Sequence, residues 1–222
     1  MRRLNIFIDE TGEFGFGKGA SLLYGVSFTF HEHNDDIMKE LNKLNERLER
    51  IGYTQMIHMA DLVMKRGDYR NFTIDMRKSI FNSIYQFSRK IPVKYCTVII
   101  NKGFINNKNQ LRQRLAFEIN KVVRSNEKYF KKFDMIVMYY DNGQETLGII
   151  LESIFSQFEG FEHREKFNHQ EKRLFQVSDM LTFIDKYDYK YKNKIPFATS
   201  EKYFFTNDDI RKILRELKKK RF

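Results

Sequence analysis

Two apolar runs, each closed by an aspartate and then a glycine, constrain this chain more than any other feature. One is Leu4-Asn5-Ile6-Phe7-Ile8-Asp9-Glu10-Thr11-Gly12 and the other Asp134-Met135-Ile136-Val137-Met138-Tyr139-Tyr140-Asp141-Asn142-Gly143. Short β-rich runs bounded by turn residues read as buried strands. The two share a design rather than a repeated sequence. In an open α/β sheet, functional groups gather outside the carboxyl ends of the strands. If these two strands lie parallel and adjacent, Asp9 and Asp141 become neighbours. Glu10 joins them only where the strand ends, because alternation otherwise turns it to the opposite face.

The glycines at 12, 15, 17 and 19 predict a wide turn from the first strand into a second at Leu22 to Phe30. Gly12 and Gly17-Lys18 have the spacing of a phosphate-binding loop. Gly19 stands where that loop needs Ser or Thr, and a strand follows instead of a helix, so an NTPase is rejected. Helical spacing predicts helices over 34–50, opened by Asn34, Asp35 and Asp36 and stopped by Gly52, and over 72–89, ending before Pro92. Val93 to Asn101 reads as a strand. Further helices are expected over 109–130 and 144–159, with residues 160–172 a polar, mobile loop. Leu174 to Asp185 reads as a buried helix carrying isolated acids, and a C-terminal helix starts at Thr206. At 222 residues without a linker-like stretch, the chain is expected to form one α/β domain, 1–222. Its sheet would be flanked by helices, with a helical insertion at 31–90 and a basic C-terminal helix at 206–222.

Lys and Arg number 40 against 29 Asp and Glu, a net charge of +11 that favours polyanionic partners, nucleic acid first. Lys and Arg crowd the exterior of helix 109–130 and the segment from Arg211 to Arg221. Such patterns also arise as ordinary solvated faces. Tyr139, Tyr140 and the tyrosines at 187, 189 and 191 are candidates for stacking on bases, although packing is the commoner use of tyrosine. A single cysteine, Cys96, excludes an internal disulfide and a Cys-based zinc site. Met1-Arg2-Arg3 leads directly into a strand, and no apolar run approaches the ~20 residues of a membrane span, so no membrane role and a cytoplasmic location are expected.

Asp179 stands in the apolar helix late in the chain, where a lone carboxylate is costly without a partner. Asp9, Asp141 and Asp179 gathered at one point would raise one another's pKa unless a divalent cation neutralised them. Oxygen-only ligands favour Mg2+ or Mn2+, and ions held in this way can activate water against a phosphodiester. His58, in Ile57-His58-Met59-Ala60-Asp61-Leu62, is a candidate proton carrier as well as a candidate structural anchor. Glu118 is the one carboxylate in the middle of helix 109–130, with a surface role the commoner reading. His163 and His169 are expected in solvent, and Gln176 is placed to orient Asp179 from one helical turn back.

The segments Phe7-Ile8-Asp9-Glu10-Thr11-Gly12, Ile57 to Leu62, Tyr139-Tyr140-Asp141 and Leu174-Phe175-Gln176-Val177-Ser178-Asp179-Met180 resemble the ordered motifs of the domain-of-unknown-function family 3800, grouped with the ribonuclease-H-like superfamily. That family opens with Asp-Glu-Ser-Gly and closes with Leu-Gln-x-Ala-Asp; here Thr11 replaces the Ser and Ser178 the Ala. The resemblance spans most of the chain. It implies a ribonuclease-H-like mixed central sheet whose parallel strands carry Asp9 and Asp141, a later helix carrying Asp179, and a magnesium-dependent nuclease-like site. The leading expectation is therefore a divalent-metal-dependent nuclease acting on RNA or DNA, with Asp9, Glu10, Asp141 and Asp179 as metal ligands. The alternatives are a non-catalytic nucleic-acid-binding module and a defence- or toxin-associated interaction protein that retains the fold.

Overall fold

The computed structural model describes residues 1–17 and 19–222, so Lys18 of the rejected phosphate-loop pair lies outside the described residues. Five strands among the described residues make one mixed sheet: β1 (Arg3–Thr11), β2 (Leu23–Glu32), β3 (Val93–Asn101), β4 (Met135–Tyr139) and β5 (Phe161–Arg164). Their order across the sheet is β3-β2-β1-β4-β5. β2 runs antiparallel to both β1 and β3, while β4 lies parallel to β1 and β5 parallel to β4. The carboxyl ends of β1, β3, β4 and β5 therefore share one edge of the molecule.

Helices α1 (Met38–Ile51), α2 (Met59–Met64) and α3 (Ile74–Lys90) fall between β2 and β3. α4 (Lys108–Ser125) and the short α5 (Glu127–Phe130) precede β4. α6 (Glu145–Phe155) links β4 to β5, and α7 (His169–Lys192), α8 (Thr199–Phe204) and α9 (Asn207–Leu217) complete the chain. The helices cover both faces of the sheet. Leu4, Ile6 and Ile8 of β1 pack with Leu115 of α4 and Leu151 of α6, while Phe7 of β1 and Tyr95 of β3 pack with Leu44 of α1, Ile84 of α3 and Ile184 of α7.

The alternation in β2 explains why α7 lies so close to the sheet. Tyr24, Val26, Phe28 and Phe30 enter the core shared with α4 and α6, and Gly25, Ser27 and Thr29 occupy the alternate positions. Ser27 Oγ donates to the Ser178 carbonyl at 2.7 Å, Ser178 Oγ donates to the Phe7 carbonyl at 2.8 Å, and Thr182 Oγ1 lies 2.6 Å from Ser27 Oγ. These buried hydroxyls satisfy one another across the helix–sheet seam. A Cβ on Gly25 would meet Thr11 Cγ2 at 3.0 Å and Thr182 Cγ2 at 3.3 Å, so glycine sets the distance of closest approach.

Several local expectations change. The helix expected over 109–130 breaks at Asn126, whose side-chain amide donates to the Val122 carbonyl. Helix α1 begins at Met38, with Asp36 Oδ1 accepting from the Met38 amide, rather than at Asn34. Helix α6 ends at Phe155 rather than 159. The loop expected at 160–172 contains β5, because an edge strand needs backbone partners but no apolar run, and Phe161-Glu162-His163-Arg164 obtains them from β4. The C-terminal basic segment is partly absorbed into the fold: Arg221 pairs with the buried Asp185, Lys220 Nζ donates to the Ile91 carbonyl, and Phe222 packs on Tyr129 at 4.6 Å between ring centroids. No helix is long and apolar enough among the described residues to cross a membrane.

Candidate active site

The parallel pairing of β1 and β4 aligns Phe7 with Tyr139. Asp9 and Asp141 each lie two residues beyond that aligned pair, at the carboxyl end of adjacent strands. Asp9 shares a face of β1 with Phe7, the face covered by α7. Asp179 is delivered to the same place by α7, whose neighbouring Ser178 is fixed to the Phe7 carbonyl. Three distant segments thus bring their carboxylates to one end of the sheet.

Burial drives the Asp9 pKa well above the usual carboxylate range, and the charges of Asp179, Glu10 and Asp141 add to the rise. Burial also raises Asp179, to about 6, against the backbone amide of Met59, which donates to Asp179 Oδ2 at 2.8 Å, and the nearby His58. Glu10 rises to about 7, chiefly through burial and the Asp141 charge. Its Oε2 is buried without a hydrogen-bond partner. None of the four acids forms an ion pair with Lys or Arg among the described residues.

β1 continues through Thr11, so alternation turns Glu10 toward the α6 side of the sheet, beside Tyr140 and Gln144. It nevertheless reaches Asp141 over the turn after β4. A Cβ on Gly143 would stand 2.8 Å from Glu10 Oε1 and 3.4 Å from Asp141 Oδ1, so the glycine leaves room for both carboxylates. Asp141 is exposed and accepts from the Gly143 amide at 3.1 Å. Asp9 lies between two partners of different character: Asp179 on the α7 side, and Glu10 with Asp141 along the sheet edge. As these side chains stand, no three His, Cys, Asp or Glu among the described residues form a group that could hold a metal ion.

His58 precedes α2, its amide donating to the Tyr69 hydroxyl and its ring exposed beside Asp179. Gln176 does not orient Asp179: its amide nitrogen contacts Met56 Sδ at 2.9 Å and its oxygen accepts from Arg173. The Met59 amide takes that orienting role, a backbone partner that no side-chain pattern announces. His163 is half-buried rather than solvated, bonded to Glu152 and the Tyr140 carbonyl, while His169 is exposed. Glu118 pairs with Arg114 at 2.7 Å. Tyr139 and Tyr140 are fully buried in the two cores, so neither offers a ring to a base. Lys186 of α7 went unremarked in the sequence. Its Nζ donates to Thr11 Oγ1 at 3.2 Å, and burial holds its ammonium below the usual lysine range. The signal for it was the same as for Asp179, a charged residue inside an apolar helix.

No protein-family model matches the chain, and no curated protein is similar to it in sequence. Among solved structures, a chain of the PCNA:RNase HII complex from Archaeoglobus fulgidus aligns at 15% identity over 96% of this chain and 87% of that one, with a TM-score of 0.38. A likeness at that level is too slight to assign a family or an activity.

Proposed function

We propose that the protein is a divalent-metal-dependent nuclease that hydrolyses phosphodiester bonds in RNA or DNA, with a ribonuclease-H-like arrangement of the kind implied by its resemblance to family 3800. One observation carries the reading: Asp9, Glu10, Asp141 and Asp179 gather at the carboxyl end of parallel strands β1 and β4 with no Lys or Arg partner among the described residues. A purely structural cluster of this kind would be self-repulsive. The hard oxygen donors suit Mg2+ or Mn2+, and the partnerless buried Glu10 Oε2 is an acceptor that a cation would satisfy.

As the side chains stand no three of these acids form a metal-holding group, so Asp9, Asp141 and Asp179 would hold an ion only by turning toward one point, with Glu10 reached across the Gly143 turn. A bound ion supplies polarisation of the phosphodiester and a nucleophilic water near neutral pH. The chain's own residues orient that chemistry. The Met59 amide fixes Asp179, the hydroxyl seam of Ser27, Ser178 and Thr182 fixes α7 against β1, and exposed His58 can exchange a proton beside Asp179. The net charge of +11 favours a nucleic-acid substrate held through its backbone.

The test is cleavage of labelled RNA and DNA at low salt with Mg2+ or Mn2+, comparing wild type with Asp9→Asn. The variant should lose cleavage and keep a cooperative melting transition. Equal cleavage by both proteins would assign the activity to a contaminant, and binding without cleavage by wild type would leave a non-catalytic binding module.

A further inference from the structure

Gln144 stands immediately before α6 but does not cap it. Residues in that position commonly turn a short polar side chain back onto the helix's own amides. Gln144 has an extended backbone, and its side chain makes no capping bond to α6. It reaches across the sheet edge instead: Nε2 donates to the Gly12 carbonyl at 2.9 Å, and Oε1 accepts from the Tyr24 hydroxyl at 3.1 Å. Its backbone amide donates to the Tyr140 hydroxyl at 2.9 Å. One residue of the turn after β4 is thereby bonded to the turn after β1, to β2 and to the residue that follows β4.

These bonds surround Glu10 and Asp141. Gly12 has a φ of +91°, and a Cβ there would stand 2.6 Å from the Leu23 carbonyl oxygen, so only glycine can present its carbonyl to Gln144 in this way. Tyr24 and Tyr140 are fully buried, and their hydroxyls depend on these fixed partners. The Gln144 amide nitrogen carries two protons and Gly12 accepts one. The other is left for the Glu10 carboxylate, whose charge Gln144 and the Tyr140 hydroxyl support against burial and the Asp141 charge. Lys102 also ties the turn after β1, its Nζ donating to the Glu13 and Gly15 carbonyls, but it does so from the end of β3, on the opposite side of β1 from β4. Gln144 is the side chain that draws this turn toward Asp141.

We infer that Gln144 is a positioning residue of the proposed metal site: it fastens the turn after β1 to the turn after β4 and so holds Glu10 within reach of Asp141. The inference rests on the functional reading above. In this role Gln144 touches neither ion nor substrate and acts through Glu10. The amide is suited to it because it donates and accepts at once. A glutamate could not donate to the Gly12 carbonyl, and a methionine of similar length has no donor.

The experiment separates this role from general loosening of the fold. Gln144→Met keeps the length of the side chain and removes its bonds, while Tyr24→Phe removes only the hydroxyl at Gln144 Oε1 and is the gentler variant. Mn2+ affinity is followed by electron paramagnetic resonance, and amide hydrogen exchange over residues 10–16 by mass spectrometry in EDTA. Gln144→Met should weaken Mn2+ binding by roughly tenfold or more, the usual loss when the partner of a metal ligand is removed. It should also speed exchange over residues 10–16 and leave exchange in β3 unchanged. Tyr24→Phe should move both readings in the same direction by less. A double-mutant cycle reads whether the effect passes through Glu10: Gln144→Met should change Mn2+ affinity by less than about twofold in the Glu10→Gln background and keep its full effect in the Asp179→Asn background. An equal loss in both backgrounds overturns the inference, as does unchanged exchange over residues 10–16. Wild type that binds no Mn2+, with exchange there faster in Gln144→Met, sinks the metal reading instead and leaves the fastening of the two turns standing, so the two failures are distinguishable.

Discussion

Replacing Glu10 by Gln removes a charge that the fold holds in an unfavourable place. Its pKa rises from the ordinary 4.5 to about 7 through burial and the neighbouring Asp141. At 1.36 kcal/mol for each tenfold change in proton affinity, that difference corresponds to about 3 kcal/mol. The sign follows from proton counting. Between pH 4.5 and 7 the unfolded chain has released this proton while the folded protein keeps it, so stability falls as pH rises through that window and levels off above 7. Glu10→Gln should therefore stabilise the metal-free protein by up to about 3 kcal/mol at pH 8. At roughly 2–4 °C per kcal/mol for a chain of this size, the gain in Tm is about 6–12 °C. At pH 4 the two proteins should melt together. Thermal melts in EDTA at pH 4, 6 and 8 measure this. Adding Mn2+ should raise the wild-type Tm more than that of the variant, because the charge that costs stability alone is a ligand when the ion is present. A pH-independent difference between the proteins, or no difference at pH 8, would refute the assignment of Glu10 as a carboxylate strained by its neighbours.

Three further outcomes test other parts of the account. Gly25→Ala places a methyl against Thr11 Cγ2 and Thr182 Cγ2, and overpacking of this kind should cost about 1–3 kcal/mol in chemical denaturation while lowering cleavage by displacing α7 and Asp179. Arg221→Met leaves the buried Asp185 without its cation; because Arg221 is itself partly exposed, the loss should fall at the low end for a broken buried pair, about 3 kcal/mol, with part recovered in the double variant with Asp185→Asn. His58→Ala should lower the cleavage rate by about a hundredfold or more while leaving Mn2+ affinity unchanged, which single-turnover assays paired with calorimetry can separate.

The residues differ in how openly they declared these roles. β1 and β4 could be read from their apolar runs, and the late helix from an aspartate that needed a partner. β5 could not, since Phe161-Glu162-His163-Arg164 has no apolar run and joins the sheet by backbone pairing with β4, helped by the Phe161 ring on Phe155 and the His163 ring at the Tyr140 carbonyl. The partner of Asp179 was equally hidden, because a main-chain amide at Met59 leaves no mark in side-chain patterns. Alternation correctly warned that Glu10 faces away from Asp9; what it omitted was the Gly143 turn, which lets Asp141 reach both sides of the sheet edge. Tyr139 and Tyr140 looked available for stacking only because a strand buried on both faces offers no polar alternation to reveal it. The C-terminal lysines and arginines similarly looked like one free basic tail, while Arg221 and Lys220 are spent on Asp185 and the Ile91 carbonyl.

The central claim is that four carboxylates from three distant segments make one divalent-cation site. Titration of Mn2+ followed by electron paramagnetic resonance, with wild type, Asp9→Asn and Asp179→Asn, tests it without depending on any substrate. The account predicts saturable Mn2+ binding by wild type and weakening of at least tenfold in each variant. Wild-type protein that leaves Mn2+ free at millimolar concentration, or variants that bind it as wild type does, would contradict it.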